Sequence, residues 1–266
     1  MINKSKIMTD RVNSELNSEG FKDKIFFEKK VDSTNDFLKK KAENYPQGTT
    51  IVAKTQKNGR GRFSRKWLSP EGGLWFSTLL KPESGFRKPG PLTVLIGTKL
   101  ASCLGKFTNL PIKTKWPNDL YLYGKKLGGI LLESRMKGGI FKWIVAGIGI
   151  NVNNETTDYP VTIRNTSVSL LEVKGAKFDL LKVLTIALNS VEDAYEKWLK
   201  NDLSLLEDHW KETSRLYGKS ILFKVDGSVK KGTVLGLNKS AELTLKAEHS
   251  IKSFRSENIE IVKIYR

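Results

Sequence analysis

Four apolar runs follow one another between residues 112 and 152, at 112–116, 120–123, 126–133 and 141–152. The links around Tyr123-Gly124 and Gly138-Gly139 are short and carry glycine, as tight hairpin turns require. Strands joined so closely lie antiparallel and side by side, because a parallel return needs a crossover of about a dozen residues or more. This stretch therefore demands a sheet, and the rest of the chain has to cover it.

The flanking segments supply the cover. Residues 25–31 (IFFEKKV) read as a strand, and Asp32, Ser33 and Thr34 then offer helix caps ahead of NDFLKKKAENY, where Phe37, Leu38 and Ala42 keep helical spacing. Residues 50–55 and 74–80 (LWFSTLL) read as further strands. Leu92, Leu95, Ile96, Leu100, Cys103 and Leu104 mark an amphipathic helix, and a longer one starts from an Asp179 cap. From about Tyr217 the character changes to short strands only, which suggests a small barrel. The layout is α+β: an N-terminal segment (1–24), a mostly antiparallel sheet flanked by helices (25–216) and a small all-β domain (217–266).

The chain has 266 residues, 46 of them Lys or Arg against 28 Asp or Glu, a formal net charge of +18. Such a surface attracts polyanions such as nucleic acid, nucleotides, anionic lipid or an acidic protein. The lysines are scattered, however, and a solvated Lys-rich surface explains them better than a dedicated nucleic-acid face. Cys103 is the only cysteine, which excludes a disulfide framework and argues against a cysteine zinc site; its helical setting predicts a buried core thiol. No apolar run is long enough to cross a membrane as a helix, and the polar first residues lack a signal-peptide centre, so a cytoplasmic location is expected.

Residues 55–67 read TQKNGRGRFSRKW. Phosphate binding wants backbone that can approach closely, together with Arg forks that bond two oxygens, and Gly59-Arg60-Gly61-Arg62 supplies both. It is neither a Walker loop nor a Rossmann fingerprint. Alone, it is also compatible with a solvated loop or an RNA contact. Trp116-Pro117-Asn118-Asp119 breaks a strand, Lys126 leads into Leu127-Gly128-Gly129, and Gly147 and Gly149 interrupt an apolar strand. Glycine within a strand marks close approach by a ligand or another chain segment. Each has a plainer reading: Trp116 as core, Lys126 as a surface lysine, and the glycine pair as packing against the long helix.

Taken together, DSTND at 32–36, the 55–67 loop, KWPNDLYLYGKKLGGILLE at 115–133 and GIGINVN at 147–153 resemble the biotin protein ligases in order and spacing. The final strands, including GKSILFK and GTVLGLNKSAELTL, look like the SH3-like C-terminal domain of that family. The resemblance implies a fold of the class II synthetase/biotin–lipoate ligase type and an enzyme using biotin, ATP and Mg²⁺. Arg60 and Arg62 would meet the biotin carboxylate and the ATP α-phosphate. Ser33, Thr34, Asn35 and Gln56 would hold the biotin head group, with Gly129, Gly147 and Gly149 as close walls and Gly61 in the loop that closes over it. Lys126 matches the essential lysine, Trp67, Asn118 and Asn151 the nucleotide side, and Asp119 an acid that orients the incoming lysine. The implied chemistry joins the biotin carboxylate to AMP, releases pyrophosphate, and passes biotin to a lysine of a biotin carboxyl carrier protein.

No enzyme nucleophile is needed, in keeping with a chain whose histidines, His209 and His249, lie outside the motifs. The loop departs from the family at Phe63 and Ser64, where arginine and glycine are usual, which puts loop mobility and retention of the intermediate in question. About 24 residues precede the catalytic segment, fewer than a winged helix-turn-helix needs, so no operator binding is expected. Relatives that pair through their sheets imply a homodimer. Two other readings stand beside this one. The first is a lipoate–protein ligase, disfavoured by the intact GRGR and KKLGG set. The second is a nucleic-acid-binding module, disfavoured because Phe223, Phe254 and Tyr265 fall in apolar strand patterns rather than on a stacking face.

Overall fold

The computed structural model describes residues 4–17, 19–82, 89–157, 159–247 and 250–265. Among the described residues, twelve strands and eight α-helices follow in chain order. The first part holds α1 (Lys4–Asn13), β1 (Ile25–Val31), α2 (Thr34–Lys41), β2 (Thr50–Gln56), β3 (Leu74–Leu80) and α3 (Gly90–Thr108). Next come β4 (Lys113–Lys115), β5 (Asp119–Leu122), β6 (Lys125–Lys137) and β7 (Ile140–Ile150). The helices α4 (Val161–Arg164), α5 (Leu170–Lys174), α6 (Leu180–Leu199), α7 (Ser204–Glu207) and α8 (His209–Thr213) follow. The chain ends in β8 (Ser220–Val225), β9 (Ser228–Leu237), β10 (Leu243–Ala247), β11 (Ser250–Phe254) and β12 (Glu260–Ile264).

The large sheet has the order β1-β2-β3-β7-β6-β5-β4, and only β1 and β2 run parallel. Its hairpins are set by turn chemistry. Tyr123-Gly124 (φ 47° and 82°) and Gly138-Gly139 (φ 59° and 76°) place both central residues at positive φ, matching the right-handed twist of the strands. β3 is buried along its whole length, so its alternate residues serve two cores. Phe76 and Leu80 face α3 and α6, whereas Leu79 joins Ile51, Trp143 and Val145 under Leu38 of α2. Burying a Leu or Phe side chain contributes about 2 kcal/mol, so the α3–α6 side anchors the sheet and leaves the α2 side free to be carved. Trp116 belongs to the core, as its plainer reading held, and its indole N–H donates to the carbonyl of Ala241 at 2.9 Å.

One expectation, at Cys103, needs correction, and two regions take a form the sequence left open. The strand-only tail forms a five-stranded antiparallel sheet, β11-β10-β9-β8-β12, in which β11 and β12 are open edges among the described residues. No closed barrel forms among the described residues. The sheet's apolar residues Phe223, Val234 and Leu245 join the main core instead. Cys103 is half-buried rather than buried, because it sits at the margin of the α3 face. The polar N-terminal segment contains α1, whose Val12, followed by Leu16 and Phe21, reaches the core while Arg11 pairs with Asp179 of the α6 cap. His209 is exposed, and His249 lies outside the described residues. No helix among the described residues is long and apolar enough to cross a membrane.

Candidate active site

Register builds the site. Across the α2 side of the sheet, Trp75 of β3 pairs with Gly149 of β7, Gly149 with Gly129 of β6, Gly129 with Asp119 of β5, and Asp119 with Lys115 of β4. One step along, Ser77 pairs with Gly147 and Gly147 with Leu131. Two glycines side by side in adjacent strands cut a trough that any side chain would fill. A Cβ on Gly147 would lie 2.0 Å from Asn35 Oδ1, and one on Gly149 would lie 2.6 Å from Trp67 Nε1. The close approach foreseen at these glycines is therefore made by side chains lying on the strands. They face away from α6, which removes helix packing as their explanation.

A cavity of about 770 Å³ opens over the trough. Every residue to which the resemblance gave a site role lines it: Ser33, Thr34, Asn35, Gln56, Arg60, Gly61, Arg62, Trp67, Asn118, Asp119, Lys126, Gly129, Gly147, Gly149 and Asn151. One end is neutral and closely bonded. Ser33 caps α2, its hydroxyl accepting from Asp36 N–H. Gln56 Oε1 accepts from the backbone N–H of Thr34 at 2.8 Å and from its hydroxyl at 3.1 Å, while its Nε2 donates to Ser69. Ser77 Oγ lies 2.7 Å from Thr34 Oγ1 and 2.6 Å from Asn35 Oδ1.

The other end is charged. Lys126 Nζ lies 2.8 Å from Asp119 and 5.2 Å from the centre of the Trp67 ring, held between an acid and an indole face. Arg62 donates to Asn118 Oδ1 at 3.4 Å and to Ser256 Oγ at 2.8 Å. Burial lowers the Arg62 pKa, against the opposing pull of Glu257 and Asp119, yet a guanidinium stays charged. Burial likewise lowers the Lys115 pKa, with Asp119 opposing and Arg215, Lys126 and Arg65 assisting. Asn151 lines the cavity, but its amide is committed to Val168, Asn154 and Tyr159, so it braces the cover formed by residues 159–168.

The basic loop is a folded turn. Arg60 bridges Lys66, Trp67 N–H donates to Gly59 at 2.8 Å, and Gly61 N–H donates to Arg65 at 2.7 Å. A Cβ on Gly59 would meet the Trp67 carbonyl at 2.5 Å, whereas Gly61 has room. Phe63 and Ser64, the two departures from the family pattern, both adopt left-handed backbone at φ 55° and 57°. Arg60 lies at the cavity's edge, but its guanidinium reaches Asp36 and Glu133. The sequence reading missed Lys115, Ser77, Glu133 and Ser256. Lys115 stood in view beside Trp116. Ser256 lies 194 positions from the arginine it meets, beyond the reach of any local pattern.

Residues 27–151 match the biotin/lipoate A/B protein ligase family. The chain is 31% identical over 219 residues to a bifunctional ligase/repressor of Bacillus subtilis, covering 82% of this chain and 67% of that one. It is 34% identical over 125 residues to a biotin–[acetyl-CoA-carboxylase] ligase of Paracoccus denitrificans, covering 46% of this chain and 52% of that one. Its fold matches a biotin protein ligase from Aquifex aeolicus in complex with biotin and ATP, with a TM-score of 0.79 and 30% identity, over 90% of this chain and 98% of that chain. The chain belongs to the biotin/lipoate A/B protein ligase family, and within it to the biotin protein ligases.

Proposed function

We propose that this chain activates biotin with ATP, forming biotinyl-5′-AMP and releasing pyrophosphate, and then transfers biotin to a lysine of a biotin carboxyl carrier protein. The observation carrying this reading is the polarity of the one cavity, neutral at the glycine trough and cationic at Arg62, Lys115 and Lys126. A ring with urea-like polar groups suits the first end. A carboxylate meeting a triphosphate suits the second, since two anions approach only where positive charge is already in place. The carboxylate oxygen attacks the α-phosphorus, the bond to pyrophosphate breaks, and the mixed anhydride is kept from water under the 59–67 loop. A carrier lysine amine then attacks the acyl carbon and AMP leaves. Asp119, on Lys126 in this state, is placed to orient that amine.

No group of three His, Cys, Asp or Glu residues among the described residues could hold a metal ion, and Asp119 is committed to Lys126. These residues form no all-protein cage, so Mg²⁺ would come with the ATP phosphates, which supply most of its oxygen ligands. We assign residues 25–216 to catalysis and 217–266 to a second domain that contributes Ser256 to the site wall. We further propose a cytoplasmic homodimeric ligase.

The test is biotin-dependent ATP–pyrophosphate exchange on the purified protein, with lipoate in a parallel reaction. Exchange with biotin alone is expected. Exchange with lipoate alone would reassign the substrate, and exchange with neither would overturn the reading.

A further inference from the structure

Glu133 was no more than the end of a motif in the sequence, yet its carboxylate joins three separate elements. It sits on β6, opposite Val145 of β7, and is largely enclosed. Its Oε2 accepts from Asn35 Nδ2 at 2.8 Å, and its Oε1 accepts from Lys39 Nζ at 2.7 Å and from Arg60 Nη2 at 2.5 Å. Asp36 completes a ring, 2.8 Å from Lys39 and 3.3 Å from Arg60. Two cations and two anions thus alternate, supplied by α2, the basic loop and β6. On its inner side the ring continues through Asn35, whose Oδ1 lies 2.6 Å from Ser77 Oγ and which rests on Gly147.

We propose that Glu133 is a positioning residue that moors the basic loop through Arg60 and orients Asn35 in the trough, so that one carboxylate couples the ligand-facing end of the cavity to the dwell time of its lid. Resting on the biotin-ligase reading above, this reassigns Arg60 from gripping the ligand to anchoring the loop. A guanidinium spent on two fixed carboxylates has little left for a third. The ring also carries no net charge, which leaves attraction of the anionic substrates to Arg62, Lys115 and Lys126. Charge-assisted bonds of this kind are strong enough for the loss of one to change an opening equilibrium about tenfold.

The test uses the full chain with Glu133→Gln, Arg60→Gln and the double variant. Tryptic nicking after Arg65 and Lys66 is followed without ligand, and release of biotinyl-5′-AMP is followed separately. Glu133→Gln should speed both about tenfold, and Arg60→Gln should add almost nothing to it in the double variant. Unchanged nicking, or effects of the two substitutions that simply multiply, would overturn the proposal. Should Glu133→Gln unfold, Arg60→Gln alone still decides, since it breaks the same contact from the exposed side. The nicking arm needs no substrate, so failure of the mooring is distinguishable from failure of the biotin reading, which would show as no biotin-dependent exchange in the unsubstituted protein.

Discussion

The floor of the cavity and its rim solve opposite problems with different residues. The floor is neutral, buried and backbone-determined: Thr34, Asn35, Gln56 and Ser77 bond to one another above strands that carry glycine. The rim is cationic and partly exposed, and it is held by side chains arriving from distant parts of the chain, among them Arg62 on Ser256 and Lys126 on Asp119. The floor is shape set in advance, while the rim supplies charge on side chains that can rearrange. Floor and rim should therefore fail differently.

The largest effect is expected at the rim. Lys126→Ala should reduce adenylate formation by about 10²–10³-fold, the scale for losing one preorganised charge donor, with an almost unchanged unfolding midpoint. Retention of most of the exchange rate would remove Lys126 from the chemistry. Gly147→Ala should strike the floor instead. The new methyl must displace Asn35, costing about 1–3 kcal/mol and weakening biotin binding in calorimetry while leaving ATP affinity close to normal. Arg62→Ala should accelerate loss of the intermediate about tenfold more than it weakens biotin binding. If the two fall together, Arg62 belongs to floor and rim alike.

Smaller effects test the rim's backbone. Ser64→Gly should stabilise the closed loop by about 1 kcal/mol, because a left-handed residue without a Cβ carries no steric penalty. Slower tryptic nicking would register it, and faster nicking would mean that chain entropy dominates. The smallest concerns the cover over the charged end. Burial would raise the pKa of Glu172, but hydrogen bonds from Thr156 and Ser169 outweigh it and hold the carboxylate below its ordinary value. A depressed folded pKa adds stability above the unfolded value, and that stability is lost as pH falls through the folded one. Glu172→Gln should therefore flatten the acid limb of the stability profile below about pH 5, which thermal melts across pH would detect.

The sequence was most legible where a residue's role is local. Both predicted hairpin turns in the large sheet, the Ser33 and Asp179 caps and the long α3 and α6 periods rest on neighbours within a few positions, and their bounds moved by only a few residues. The site residues were legible as a set because glycines, an Arg-rich turn and WPND follow in a fixed order. Illegible were α1, whose helix depends on packing against α6 more than on its own weak apolar pattern, and the open edges of the last sheet, since a run of short strands reads alike whether or not it closes.

By itself, then, the sequence determined the strands, the turns and the chemical types gathered for a phosphate-and-carboxylate site, because dihedral preference and side-chain chemistry are properties of single residues and near neighbours. Only the tertiary structure decided which charges remain available. Arg60 and Arg62 stand two positions apart in the same basic turn. One is neutralised by Asp36 and Glu133, and the other is half-buried beside Asn118 and Ser256. A charge's availability is set by what lies within about 4 Å of it, and in a folded chain those partners come from segments that local sequence cannot see.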